Sequence, residues 1–157
     1  MESNKIKKKG RPRKDTIEYF SHYAVKPREV SILQKRFGHD KGYRVYFELM
    51  ELLGRSPNQI LHYTDKYIKL YIADELRLEP DELEEILQFM VGLDILCPDC
   101  FERGYIFSDG FMKCLIKLYH KRINNLPKHS CGKDIEGAND NEDDVLKPQL
   151  VPAEVMA

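Results

Sequence analysis

Pro80-Asp81-Glu82-Leu83-Glu84-Glu85-Ile86-Leu87-Gln88-Phe89-Met90-Val91 is the stretch from which the fold is read. Proline suits the first turn of a helix, where its missing N–H costs nothing, and Leu83, Ile86, Leu87, Met90 and Val91 follow at i, i+3, i+4, i+7, i+8 spacing. Upstream, Ile68, Tyr71, Ile72 and Leu76 predict another helix. Downstream, Ile95-Leu96 and Tyr105-Ile106-Phe107 read as two short strands joined by a turn through Pro98 and Asp99, with Gly104 nearby.

Further out, residues 28 to 36 predict a short helix with Val30, Leu33 and Phe37 on one side, closed by Gly38. From 40 to about 53, Tyr43, Tyr46, Phe47, Met50 and Leu53 line one face and Val45, Leu49 and Leu52 another, so this helix is expected to be almost wholly buried. Gly38-His39-Asp40-Lys41-Gly42 reads as a tight link between these two helices, with Asp40 as the cap. After the breaker Arg55-Ser56-Pro57-Asn58, residues 60 to 63 suit a small strand. Asp109 is expected to cap a last helix whose apolar face is Phe111, Leu115, Leu118, Tyr119 and Ile123. This order of elements is that of a mainly α (α+β) winged helix-turn-helix with a small β-wing and an extra C-terminal helix. The folded domain is expected over 16–126, between a disordered basic arm at 1–15 and a disordered acidic tail at 127–157.

A chain of 157 residues has room for one ordinary domain and its tails. Its net charge of -1 hides a sorting of charges along the sequence. Lys5, Lys7, Lys8, Lys9, Arg11, Arg13 and Lys14 form a basic arm opposed only by Glu2. From 74 to 94 the sign reverses, and Lys113, Lys117, Lys121, Arg122 and Lys128 then form a basic run without an acid inside it. Such asymmetry points to an anionic partner at the basic surfaces. No apolar run approaches the ~18 residues of a membrane span, and no apolar stretch of a signal peptide follows the basic start. The expected location is therefore the compartment of synthesis, a bacterial cytoplasm or nucleoid, with no membrane partner.

Lys7-Lys8-Lys9-Gly10-Arg11-Pro12-Arg13-Lys14 resembles an AT-hook. Glycine lets the backbone approach the minor-groove floor, proline keeps the chain extended, and arginine is drawn into the narrow electronegative groove of A-tracts. The flanking lysines neutralise phosphates. The plainer alternative is a solubilising basic tail that contains Gly-Arg-Pro by chance. Lys113, Lys117, Lys121 and Arg122 on the last helix are the second candidate DNA contact. By contrast, the 80–91 helix carries Asp81, Glu82, Glu84 and Glu85 with no cation. It is expected to avoid the major groove and to leave its acids for a basic surface, such as that ridge on a second copy.

Cys97-Pro98-Asp99-Cys100 has the spacing of half a zinc site, and its plainer reading is a pair of unligated thiols in the wing. A redox pair would open a helix, whereas this turn is expected to lead into a strand. Phosphate-binding loops, dinucleotide fingerprints, metalloprotease motifs and nucleophile elbows are all lacking, so neither an enzyme nor a cofactor is expected.

Tyr19-Phe20-Ser21-His22, Phe37-Gly38, Gly42-Tyr43-Arg44-Val45-Tyr46, Leu49-Met50-Glu51 and Ile72-Ala73-Asp74-Glu75-Leu76 occur in an ordered series. It continues through Ile86, Phe89 and Ile106-Phe107-Ser108, and over about 17 to 124 it resembles the N-terminal winged-helix domain of a prophage protein family. That family is similar to the DnaD-like replisome organisers, which help assemble primosomes at replication origins. The resemblance implies a DNA-binding accessory protein of a phage or mobile element, acting in replication initiation. Its partners would be AT-rich double-stranded DNA, with self-association or replication proteins besides. A winged-helix transcriptional regulator and a protein-interaction adaptor are the alternatives.

Overall fold

Gly38, with φ at +105°, is all that separates the first two helices, α1 (Arg28–Phe37) and α2 (His39–Arg55). Asp40 lies in the first turn of α2 and does not cap it. The Gly38 N–H bonds back to Gln34 O at 3.0 Å, and the Gln34 side-chain amide donates to His39 O at 2.9 Å. The two helices cross so closely at Gly42 that a β-carbon there would lie 2.5 Å from the Leu33 carbonyl carbon. Val45, Leu49, Met50, Leu52 and Leu53 bury the inner side of α2. The expectation of an almost wholly buried helix fails on one side, where Tyr43 is exposed and Phe47 half-buried along an open cleft.

The computed structural model describes residues 16–20 and 24–121. A 3-10 turn (Pro57–Gln59) leads into β1 (Leu61–His62), then α3 (Lys66–Glu75), α4 (Pro80–Gly92), α5 (Pro98–Glu102), β2 (Tyr105–Ile106) and α6 (Asp109–Lys121). The fold is mainly helical, with β1 and β2 paired antiparallel, Leu61 opposite Ile106 and His62 opposite Tyr105. The core lies between α2, α3, α4 and α6, and Leu49, Leu53, Ile72, Leu87, Met90 and Phe107 in it are closed to solvent.

Three expectations are corrected here. Ile95 and Leu96 are not a strand. Ile95 N bonds to Met90 O at 3.0 Å and Asp94 N to Val91 O at 3.1 Å, the double closure of a Schellman motif, so the backbone that a ladder would need finishes α4 instead. The chain then enters α5 at Pro98, and Cys97 N to Phe107 O, 2.8 Å, ties this segment to the end of β2. Second, α3 turns only Ile72 and Ala73 inward, with Leu76 at its C-cap, and leaves Ile68 and Tyr71 exposed. Its buried stripe is narrower than the apolar spacing suggests because α3 touches α4 along little of its length. Third, Ser108 caps α6, its Oγ accepting from Phe111 N at 3.2 Å, and Asp109 is the first helical residue. The arm at 1–15, Arg122, Ile123 and the tail at 127–157 lie outside the described residues.

Candidate nucleic-acid interface

The orientation of α6 is fixed from its apolar side. Phe111, Met112, Leu115, Ile116 and Tyr119 are buried, and the Tyr119 hydroxyl donates to Gln59 Oε1, which is itself buried in the 3-10 turn. Phe111 also meets Phe20 edge-on, with ring centroids 5.1 Å apart. With that face committed, Lys117 and Lys121 stand exposed and Lys113 half-buried on one ridge. The i, i+4 spacing carries the three ammonium groups over about 12 Å of helix. Lys121 and His120 sit in the last turn, where cations complement the helix dipole.

The segment that leads out of the basic arm is anchored beside this helix. Ile17 N donates to Gly54 O at 2.7 Å, and Gly54 has Ile17 and the Phe111 ring as its neighbours. The chain therefore enters the described fold next to the first turn of α6. The predicted contacts Lys7, Lys8, Lys9, Gly10, Arg11, Pro12, Arg13, Lys14 and Arg122 lie outside the described residues. Between residues 17–20 and α2 lies an open cleft lined by Tyr19, Phe20, Tyr43 and Phe47, with Glu18, Glu51 and Arg55 at its polar positions.

The acids of α4 have partners that the sequence did not reveal. Arg36 Nη2 lies 3.0 Å from Glu85 Oε1, and Lys41 bonds to Glu82, so α1 and α2 supply the cations that α4 lacks. Glu84 accepts from the Tyr63 hydroxyl at 2.7 Å and from Gln88 Nε2 at 3.1 Å. The Tyr63 hydrogen bond holds the Glu84 carboxyl below its ordinary range, while burial first, then Glu84, pushes the Tyr63 phenol up. Within the chain, then, Glu82, Glu84 and Glu85 each have a partner. What α4 presents outward is Asp81, Glu85 and Gln88, a surface unsuited to phosphate.

Cys97 and Cys100 are both buried thiols. They do open a helix, contrary to expectation: Cys97 is the N-cap of α5, its sulfur accepting from Cys100 N at 3.5 Å. Cys100 is fully buried and Cys97 nearly so. Among the described residues no group of three or more His, Cys, Asp or Glu is placed to hold a metal ion, and no helix is long and apolar enough to cross a membrane. Comparisons with protein-family models, with curated proteins and with solved structures find no match for this chain.

Proposed function

We propose that this is a DNA-binding accessory protein of a phage or mobile element, acting in replication initiation, with no catalytic step of its own. In this reading α3 and α4 are the helix pair of a winged helix-turn-helix, and β1 with β2 is a wing reduced to two strands. DNA is held by the arm, through Arg11 and Arg13 in an AT-rich minor groove and the neighbouring lysines on phosphate, and by the α6 ridge of Lys113, Lys117, Lys121 and Arg122.

The observation that carries the proposal is the anchoring of Ile17 and Phe20 against Gly54 and Phe111. It supports the reading because residue 17 lies beside the first turn of α6, the helix that carries Lys113, Lys117 and Lys121, while α4, the helix in the recognition position of this reading, has Asp81 and Glu85 exposed. Minor-groove reading separates A·T from G·C and little else, so binding to an alternating A·T duplex should exceed binding to a G·C duplex. Arg11→Ala should remove that preference, whereas Lys7→Ala should weaken both duplexes alike. Equal loss from both substitutions would reduce the arm to an electrostatic tail. The replication role rests on the family resemblance, and its test is a footprint at an origin; a footprint confined to promoters would overturn it.

A further inference from the structure

Among the described residues, one face of α3 is left uncovered. Tyr67 is 79% exposed, Tyr71 54%, Leu70 44% and Ile68 36%, so four large apolar side chains within five positions form a continuous patch. At about 100° per residue, Tyr67, Leu70, Tyr71 and Asp74 share one stripe, with Lys66 on the flank toward which Leu70 and Asp74 also lean. Charge runs along this stripe, from Lys66 at its start to Asp74 at its end. The neighbouring charges are engaged: Glu75 pairs with Arg55 at 3.3 Å, and the Lys69 ammonium lies 4.7 Å from the centre of the Tyr63 ring. Lys66 and Asp74 make no ion pair among the described residues.

We propose that this face pairs with the same face of a second copy, the two α3 helices running antiparallel about a two-fold axis at Leu70. Such an axis sets Lys66 of each copy opposite Asp74 of the other, and because it crosses the helices it keeps both residues on the same flank. Tyr67 and Tyr71 then close around the paired Leu70 side chains. A self-complementary patch is what an isologous interface demands, and the charge gradient selects the antiparallel arrangement. Parallel helices would oppose Lys66 to Lys66 and Asp74 to Asp74. A ten-residue helix is about 15 Å long, so the contact falls short of the ~800 Å² per partner of a standard interface and the dimer is concentration-dependent.

Sedimentation of the full chain without DNA, over a series from micromolar to millimolar, tests the proposal independently of DNA binding. A reversible monomer–dimer equilibrium is expected. Lys66→Glu and Asp74→Lys should each weaken it about ten-fold, since every dimer contains the pair twice. Combined in one chain they should restore it, and Leu70→Glu should abolish it. All three positions are exposed, so the circular dichroism spectrum should not change. A monomer at every concentration would overturn the proposal, whether another part of the chain or nothing covers α3. So would a dimer that none of these substitutions shifts, or a double reversal as weak as either single one.

Discussion

Gly42→Ala is expected to destabilise the protein although alanine is the better helix former. The added β-carbon would sit 2.5 Å from the Leu33 carbonyl carbon and 2.6 Å from the Gln34 α-carbon, both backbone atoms that no side-chain rotation can move. The nearest atom, the Gln34 backbone nitrogen, would lie at 2.4 Å, so to reach ordinary contact at 3.4 Å α1 must retreat by about 1 Å. A gap of that size forfeits roughly a quarter to a half of the dispersion contact along the interface. Val30 and Leu33, the buried apolar residues of α1, are each worth about 1.5–3 kcal/mol, so the loss is about 1–3 kcal/mol, with backbone strain added. The helix propensity of alanine returns up to about 1 kcal/mol. The net cost is about 1 kcal/mol before backbone strain is counted, or roughly 4–8 °C in Tm for a domain near 100 residues. Urea titration followed by circular dichroism measures it, with Gly92→Ala as control, because nothing lies within 4 Å of a β-carbon there. The control should be neutral or stabilised by about 0.5 kcal/mol. Equal stabilisation of both variants would refute the close crossing of α1 and α2.

Tyr63→Phe should cost about 1 kcal/mol near neutral pH, the low end for a charged hydrogen bond because Glu84 is only half-buried. The Glu84 carboxyl is held low in the folded state, so its contribution is present above the ordinary carboxylate pKa and lost as pH falls through the folded value; the gap between the variant and the parent should close in acid. Asp81→Lys with Glu85→Lys should leave DNA binding intact or tighter, as read by fluorescence anisotropy; abolished binding with the fold preserved would restore α4 as the reading helix. Zinc content after purification should be near zero and Tm insensitive to a chelator, since Cys97 and Cys100 gather no further ligands among the described residues; one tightly bound equivalent would contradict this.

The helices α1, α2, α4 and α6 could be read in advance because each carries a strong 3.6-residue apolar period, and Pro80 and Gly38 mark their boundaries. The failures lie where a local signal was weak or served another purpose. Schellman endings usually advertise themselves through glycine, but here Arg77 and Asp94 take the left-handed position, with φ of 53° and 58°. Without glycine at Asp94 the segment after α4 resembled a strand, since Ile95 and Leu96 are buried like strand residues. On α3 the apolar period was real but divided, with Ile72 and Leu76 in the core and Ile68 and Tyr71 facing outward, which no single-sequence pattern can distinguish from one continuous core face. The charge blocks were legible as blocks, yet the pairing of Glu85 with Arg36 joins residues 49 positions apart and needed the fold to be seen. The ridge of Lys113, Lys117 and Lys121 was legible from spacing alone, because i, i+4 positions share a side of any helix.

The central claim, that DNA is held through the basic arm, is tested most directly by titrating one AT-rich duplex with the full chain and with a chain lacking residues 1–14, over a salt series. If some five to seven phosphates are engaged, log affinity of the full chain should fall with log salt at a slope of about -4 to -6. Removal of the arm should abolish most of the affinity and flatten the slope to the weak residue contributed by α6. A truncated chain that binds as tightly as the full one, with the same slope, would contradict the account.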